Sequence, residues 1–483
     1  MSAVVTQSTF RPLAARALAG ETWREANRTV EIRDPYRDEV VGTAPVSSLG
    51  DLDAALAAAV QARTKIAGMP GYDRAALLRR AAALIERDVS GLAELLTRET
   101  GKAIKDSDAE IRRSLETVLL AAEEAIRIEG RHVPLEGSAM GAGKIAMLLR
   151  FPVGVVAAIT PFNAPFNLAA HKIAPAIAAG NSIVLKPPPQ APLIVHRLIE
   201  LMVEAGTPPG ALNVVHGGAD LGAALVADPR VDFISFTGSS RAGAAIKAAS
   251  GLRRVALELG GNNATIVHDD ADLAPAAAAC ARNSMRLAGQ SCVSVQSVYA
   301  QERVYERFLE LIEAEIRKMK LGDPLDPATD VGTLIDEGAA RRVESWVREA
   351  AAQGARVVTG GRRHGAAFEP TLLTGVQPSM KVVCEEVFGP VVNVLPYKEL
   401  DEVFGAVNAG PYGLQAGIFT RSNEVTFRAI RSLRVGGVIV NGTSTWRTDQ
   451  LAYGGVKASG VGREGPRYAI EEMTEQRLVV FNL

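Results

Sequence analysis

The rhythm of hydrophobic and polar positions changes twice along the chain. At 29–33 and 40–44 it predicts strands. Ala- and Leu-rich stretches at 51–67, 73–87, 92–100 and 106–129 predict helices. Asp51 heads the first of these, where its charge complements the helix dipole. From about residue 146 short, continuously apolar runs take over, at 153–159, 182–185, 212–215, 233–236, 255–257 and 265–267. Helical segments at 168–179, 193–205, 221–227 and 242–249 separate them. Apolar strands alternating with helices predict a parallel sheet covered on both faces, the α/β architecture common among nucleotide-binding folds. After Asp272 the alternation resumes, with a helix to about Met285, a strand at 293–300 and a helix at 302–318. This predicts a second α/β domain. The end, 477–482, reads as a short exposed strand suited to pairing with another subunit.

Composition narrows the function classes. The chain has 483 residues, 47% hydrophobic and 22% charged, enough for a large core in about two to four structural units. Its 53 basic and 54 acidic residues leave a net charge of −1, so no overall basic field draws it to nucleic acid or anionic membranes. Three cysteines in so long a chain make no disulfide framework and point to a reducing compartment. The six histidines show no zinc-ligand spacing, so no metal is expected. Arg11, Pro12 and Arg16 interrupt any signal-peptide core. The uncharged stretch 151–170 carries Pro152, Pro161 and Pro165, which suit a buried strand and turn better than a membrane span. A cytoplasmic protein is expected.

Several residues stand where chemistry is done. Cys292, in Gly289-Gln290-Ser291-Cys292, sits in a Gly-bounded turn ahead of a strand; it reads as a nucleophile or as an inert buried thiol. Cys280, in an Ala-rich helix, and Cys384, beside a Glu pair, read as inert. Glu258, in Leu257-Glu258-Leu259-Gly260-Gly261, is an acid in an apolar strand; burial raises such a pKa towards that of a general base, unless the side chain faces solvent. Phe236-Thr237-Gly238-Ser239 opens a helix whose backbone N–H groups suit a phosphate, without the Gly-x-Gly-x-x-Gly fingerprint or a P-loop. Lys186, at a strand end before three prolines, reads as a ribose or phosphate contact or as a solvated lysine. Asn163, in Pro161-Phe162-Asn163, reads as an oxyanion donor or as a turn former.

The order of these motifs is more specific than any one of them. The series continues with Glu385-Glu386-Val387-Phe388-Gly389-Pro390 and closes with Tyr453-Gly454-Gly455-Val456-Lys457 and Ser459-Gly460-Val461-Gly462-Arg463-Glu464. From roughly residue 20 to the C-terminus it resembles the aldehyde dehydrogenase superfamily. The resemblance implies an aldehyde dehydrogenase-like α/β fold: a Rossmann-type cofactor domain (1–123 and 147–257), an α/β catalytic domain (258–450) and a small β oligomerisation arm (124–146). The segment 451–483 returns to the cofactor domain and supplies an oligomerisation strand. By the same resemblance Cys292 is the nucleophile, Glu258 the base for deacylation, and Asn163 with the Cys292 N–H the oxyanion site. Thr160, Lys186, Pro189, Gly238, Ser239, Gly260, Glu386 and Phe388 fall on the cofactor side. Arg113, Arg286, Ser291 and Arg447 fall on the substrate side.

What the resemblance implies is oxidation of a small anionic or polar aldehyde with NAD or NADP, by a homodimer or homotetramer. Arg113 matches a phosphate-binding arginine of non-phosphorylating glyceraldehyde-3-phosphate dehydrogenases. Arg286 matches a carboxylate-binding arginine of succinate-semialdehyde dehydrogenases, and Arg447 falls in the loop at the substrate mouth. Ser291 replaces the arginine of phosphate-specific relatives, which ranks succinate-semialdehyde-like substrates above lactaldehyde and phosphorylated or sulfonated short aldehydes. Pro189 replaces a ribose-binding Glu of NAD-preferring relatives, so NADP is expected to be accepted, with dual use or NADP preference. Three other readings remain: a CoA-acylating enzyme, which the acid in Leu-Glu-Leu-Gly-Gly disfavours; a catalytically idle scaffold on this fold; and, more distantly, a cysteine protease.

Overall fold

The computed structural model describes residues 10–483; residues 1–9, part of the stretch read for a leader, lie outside the described residues. Two sheets organise the chain. The first has eight strands in the order Gly460–Val461, Arg254–Glu258, Phe233–Thr237, Val155–Ile159, Ser182–Lys186, Leu212–Val214, Ala17–Ala19, Thr22–Arg24. Its central pairs are parallel; the two N-terminal strands and Gly460–Val461 join antiparallel.

The apolar runs are continuous because both faces of this sheet are covered. Along Val155–Ile159 the period of two sends Val156 and Ala158 to one core and Val155, Ala157 and Ile159 to the other. The helices Pro165–Ala179 and Pro192–Glu204 close the first face, and Leu49–Ala67 closes the second. That last helix starts two residues before Asp51: Ser48 is its N-cap, and Asp51 completes a capping box with it.

Strand order reverses beside Val155–Ile159. The chain leaves it for Ser182–Lys186 on one side and later returns to Phe233–Thr237 on the other. Such a reversal opens a crevice at the carboxyl ends of the strands. Thr160–Asn163, Lys186, Thr237–Ser239 and Glu258 all stand at those ends.

The second sheet has seven strands, in the order Arg356–Thr359, Thr371–Thr374, Val391–Tyr397, Val295–Gln301, Asn263–Val267, Gln415–Phe419, Gly437–Val440. All its pairs are parallel except the one made by Arg356–Thr359. Cys292 precedes its central strand, and the Asn263 side chain at the start of the neighbouring strand donates to the Cys292 carbonyl at 2.6 Å. The cysteine thus lies at the amino edge of the second sheet.

A third sheet forms the arm: Arg131–Val133, Lys144–Pro152 and Thr474–Asn482. The helix expected to reach 129 ends at Ala125. The backbone there turns into the arm, and a Cβ at Gly130 would lie 2.2 Å from the Leu148 carbonyl oxygen, a closeness only glycine allows. The C-terminal strand begins at Thr474, earlier than its apolar pattern showed, because its polar first residues also pair with Lys144–Pro152. No helix among the described residues is long and apolar enough to cross a membrane.

Candidate active site

The loop that carries Cys292 is held in an unusual backbone shape. Leu287 and Ala288 both adopt left-handed conformations (φ 57° and 51°), as does Phe388 (φ 49°) on the facing segment. Non-glycine residues there carry strain of about 1–3 kcal/mol each, which surrounding contacts must hold. One such contact is close: a Cβ at Gly289 would lie 1.9 Å from the Gly389 carbonyl oxygen. Another comes from Asp106, which accepts hydrogen bonds from Arg286 Nε (3.1 Å) and the Leu287 N–H (3.3 Å).

Cys292 opens into a cavity of about 100 Å3, which also exposes Asn163, Ser291, Arg113, Arg286 and Arg447. Among the described residues neither the Asn163 amide nor the Cys292 N–H makes a hydrogen bond. Two uncommitted donors therefore sit beside the sulfur, as an oxyanion site requires.

The thiol itself is not preactivated. Burial pushes Cys292 up to about 11, against the opposing pull of the Tyr453 hydroxyl and Arg447. Tyr453 Oη lies 3.2 Å from Sγ, and the Arg447 guanidinium stacks 3.7 Å from the centre of the Tyr453 ring. Burial holds the Tyr453 hydroxyl well above its usual range, so it stays protonated. Cys280 is fully buried and Cys384 lies outside this cavity.

Arg113 and Arg447 share an anchor absent from the sequence reading. The buried Asp449 receives Arg113 through both Nε and Nη2, Thr117 Oγ1 at 2.8 Å and faces His171 Nε2 at 3.2 Å. Burial alone would raise its carboxyl, but His171 and Arg113 hold it well below the usual range. Arg447 Nη2 lies 3.4 Å from the same histidine nitrogen. Arg286 is freer: its side chain is 44% exposed, and beyond Nε its guanidinium makes no hydrogen bond among the described residues.

Glu258 is placed differently from the other motif residues. It does not line the Cys292 cavity but a smaller one beside it, with Lys172, Arg463 and Glu464. Both its carboxylate oxygens are buried without a hydrogen-bond partner. Burial, then the nearby Glu464 charge, raise its pKa well above normal, so this pose holds the proton. Its strand runs straight into Gly261, where a Cβ would lie 2.6 Å from the Cys292 carbonyl oxygen. The acid and the nucleophile loop are thus neighbours across the Gly260-Gly261 turn.

On the other side of that turn, Glu386 Oε1 accepts the Gly261 N–H at 3.1 Å, and a Cβ at Gly260 would lie 2.3 Å from Glu386 Oε2. Burial raises Glu386 to about 7. Phe388 packs edge-on against Phe162, with ring centres 5.9 Å apart. In the crevice, Thr160 Oγ1 and Thr237 Oγ1 are buried with no partner among the described residues. Lys186 Nζ donates to the Gly217 and Pro187 carbonyls, and burial lowers it to about 8. Ser239 is the N-cap of Ser240–Ala249, its Oγ turned to the Ala242 N–H, so what it offers an anion is the helix end more than its hydroxyl. Pro189 is exposed in the turn after Lys186. Unpartnered hydroxyls, a lysine and a capped helix start along one crevice fit a dinucleotide lying across the strand ends.

Comparison with known proteins identifies relatives of the whole chain. Residues 23–479 match the aldehyde dehydrogenase family. The 3-sulfolactaldehyde dehydrogenase of Priestia megaterium is 45% identical, over 95% of this chain and 96% of its own. The NADP-dependent succinate-semialdehyde dehydrogenase GabD of Escherichia coli is 36% identical, over 97% and 98%. Aldehyde dehydrogenase 21 of Physcomitrella patens, solved with the reaction product succinate, superposes with a TM-score of 0.95 at 36% identity, covering 98% of this chain and 99% of that one. Related along nearly its whole length to the family model and to these enzymes, the chain belongs to the aldehyde dehydrogenase family.

Proposed function

We propose that the chain oxidises a short aldehyde carrying a carboxylate or sulfonate to the corresponding acid, with NAD or NADP, through a thioester on Cys292. The observation that carries this reading is the single cavity that joins Cys292 and two uncommitted oxyanion donors to three arginines. The Cys292 thiol first loses its proton to water, the thiolate adds to the aldehyde carbon, and the hydride on that carbon leaves as the thioester forms. The developing oxyanion is received by Asn163 Nδ2 and the Cys292 N–H. The nicotinamide supplies the hydride acceptor; Thr160, Lys186, the Gly238-Ser239 helix start, Gly260, Glu386 and Phe388 would hold the cofactor. Glu258, once its carboxyl swings from the neighbouring cavity towards the thioester, takes the proton from the attacking water. In the buried pose burial and Glu464 keep the Glu258 carboxyl protonated, so it serves as the base only after that proton is lost on leaving this pocket.

Arginine forks bind carboxylate and sulfonate oxygens in pairs. Arg286 has uncommitted donors, whereas Arg113 and Arg447 are oriented by Asp449 and His171. The functions of the sulfolactaldehyde and succinate-semialdehyde relatives support an anionic substrate. NADP acceptance rests on Pro189 and on Lys186 beside it. We place the enzyme in the cytoplasm as a homo-oligomer, built through an arm that leaves Leu478, Phe481 and Leu483 exposed.

Hydrogen bonds to charged groups contribute about 1.5–3 kcal/mol, so anionic substrates should exceed propanal at least about tenfold in kcat/KM. The panel is succinate semialdehyde, 3-sulfolactaldehyde, lactaldehyde and propanal, each with NAD and NADP and with products identified. Preference for propanal would refute the substrate class. Acyl-CoA formed in place of acid when CoA is present would favour the acylating alternative.

A further inference from the structure

The amide that receives the oxyanion hangs on a segment with no regular structure, residues 160–164. Something must fix it, because an oxyanion donor works only when already aimed. The helix that follows, Pro165–Ala179, has Ala164 at its N-cap and so no capping side chain of its own. Its first N–H groups are satisfied from elsewhere. Glu110 Oε1 accepts from the Phe166 N–H at 3.1 Å and the Asn167 N–H at 3.2 Å. The other oxygen of Glu110 pairs with Lys102, and Lys102 Nζ donates to the Asn163 carbonyl at 2.7 Å. The two side chains are only 5% and 6% exposed. One buried ion pair therefore grips the segment on both sides of the Asn163 side chain. It lies in and beside the helix Ile104–Ala125, far from Asn163 in sequence.

We infer that Lys102, held by Glu110, is a positioning residue for the Asn163 amide; this rests on the reading of Asn163 as the oxyanion donor. Lys102 does not line the substrate cavity, whereas Glu110 does, so Lys102 acts through Asn163, and the Asn163→Ala background separates that route from any direct effect of Glu110 on the aldehyde. Breaking one half of a buried pair strands the other charge, so the informative variant neutralises both. Lys102→Met/Glu110→Gln removes the tether to Asn163 and keeps an amide oxygen to cap the helix.

The test is a double-mutant cycle on kcat/KM in the intact enzyme, with thermal melting and cofactor affinity measured alongside. In the otherwise native enzyme the neutralised pair should lower kcat/KM by roughly 10–100-fold, below the full loss of an oxyanion donor. The loss should fall on kcat with KM nearly constant, and cofactor Kd should not move. In an Asn163→Ala background the same two substitutions should change kcat/KM less than about twofold, because the group they position is gone. Lys102→Arg, which keeps a charged donor, should recover most of the activity and serves as the probe if the neutral pair folds poorly. Equal losses in both backgrounds, or no loss in the native one, would overturn the positioning role. If Asn163→Ala alone left kcat/KM intact, the oxyanion reading would fall first, and the clamp with it.

Discussion

Cys292 is set in a site that buries its sulfur before it activates it. With the free-enzyme thiol pushed up to about 11, almost all of it is protonated at neutral pH. Alkylation of Cys292 in the cofactor-free protein, followed on its own peptide by mass spectrometry, should therefore be slow at pH 7. It should accelerate about tenfold per pH unit up to pH 9, as the thiolate fraction grows. A plateau below pH 8 would mean the thiol is already activated. Residue by residue, what was legible in the sequence was what lies in short local motifs: Cys292, Asn163 and Glu258 each stand inside one. Partners made by folding were not. Tyr453 reaches Cys292 from 161 residues away, and Asp449 reaches Arg113 from 336. A tyrosine before two glycines and an aspartate in a loop carry no local signal of that meeting.

Among the elements, the strand Ser182–Lys186 and the turn after it govern cofactor choice in this account. Lys186 is charged only below about 8, because burial lowers it. If that ammonium holds a 2′-phosphate, the attraction weakens as the lysine loses its proton with rising pH. NADP affinity, measured by titration at pH 7 and pH 9, should fall relative to NAD affinity as pH rises. A carboxylate about 4 Å from the phosphate costs about 4 kcal/mol at an effective dielectric of 20, so Pro189→Glu should move the kcat/KM ratio at least tenfold towards NAD. A variant that instead gained NADP preference would show that Pro189 does not set the choice. The elements themselves were readable where burial is two-sided, since continuous apolar runs report it directly. Ends were less so. The helix starting at Pro165 is capped by Glu110 and the one starting at Pro192 by Glu99, through bonds to the Leu193 and Ile194 N–H groups. Caps borrowed from another helix leave no trace beside the helix they serve.

In the whole molecule, the proposed site lies where the carboxyl edge of one sheet meets the amino edge of another. The first carries Glu258 and the cofactor crevice, the second carries Cys292, and the Gly260-Gly261 turn links them. Alternating strands and helices predicted two α/β units, but their joining edge to edge follows from packing over long separations and was not legible in the sequence. The arm adds a third sheet whose long strands, Lys144–Pro152 and Thr474–Asn482, come from distant parts of the chain. All of this bears on one claim: the aldehyde is oxidised while bonded to Cys292, and the acyl group leaves with the help of Glu258. The direct measurement uses the Glu258→Gln variant, mixed rapidly with succinate semialdehyde and NADP, quenched in acid and analysed by peptide mass, with NADPH counted optically. The account predicts a burst approaching one NADPH per subunit, the acyl group on the Cys292 peptide, and a slow steady state afterwards. Steady turnover at the native rate without a burst, or a burst with no adduct on Cys292, would contradict it.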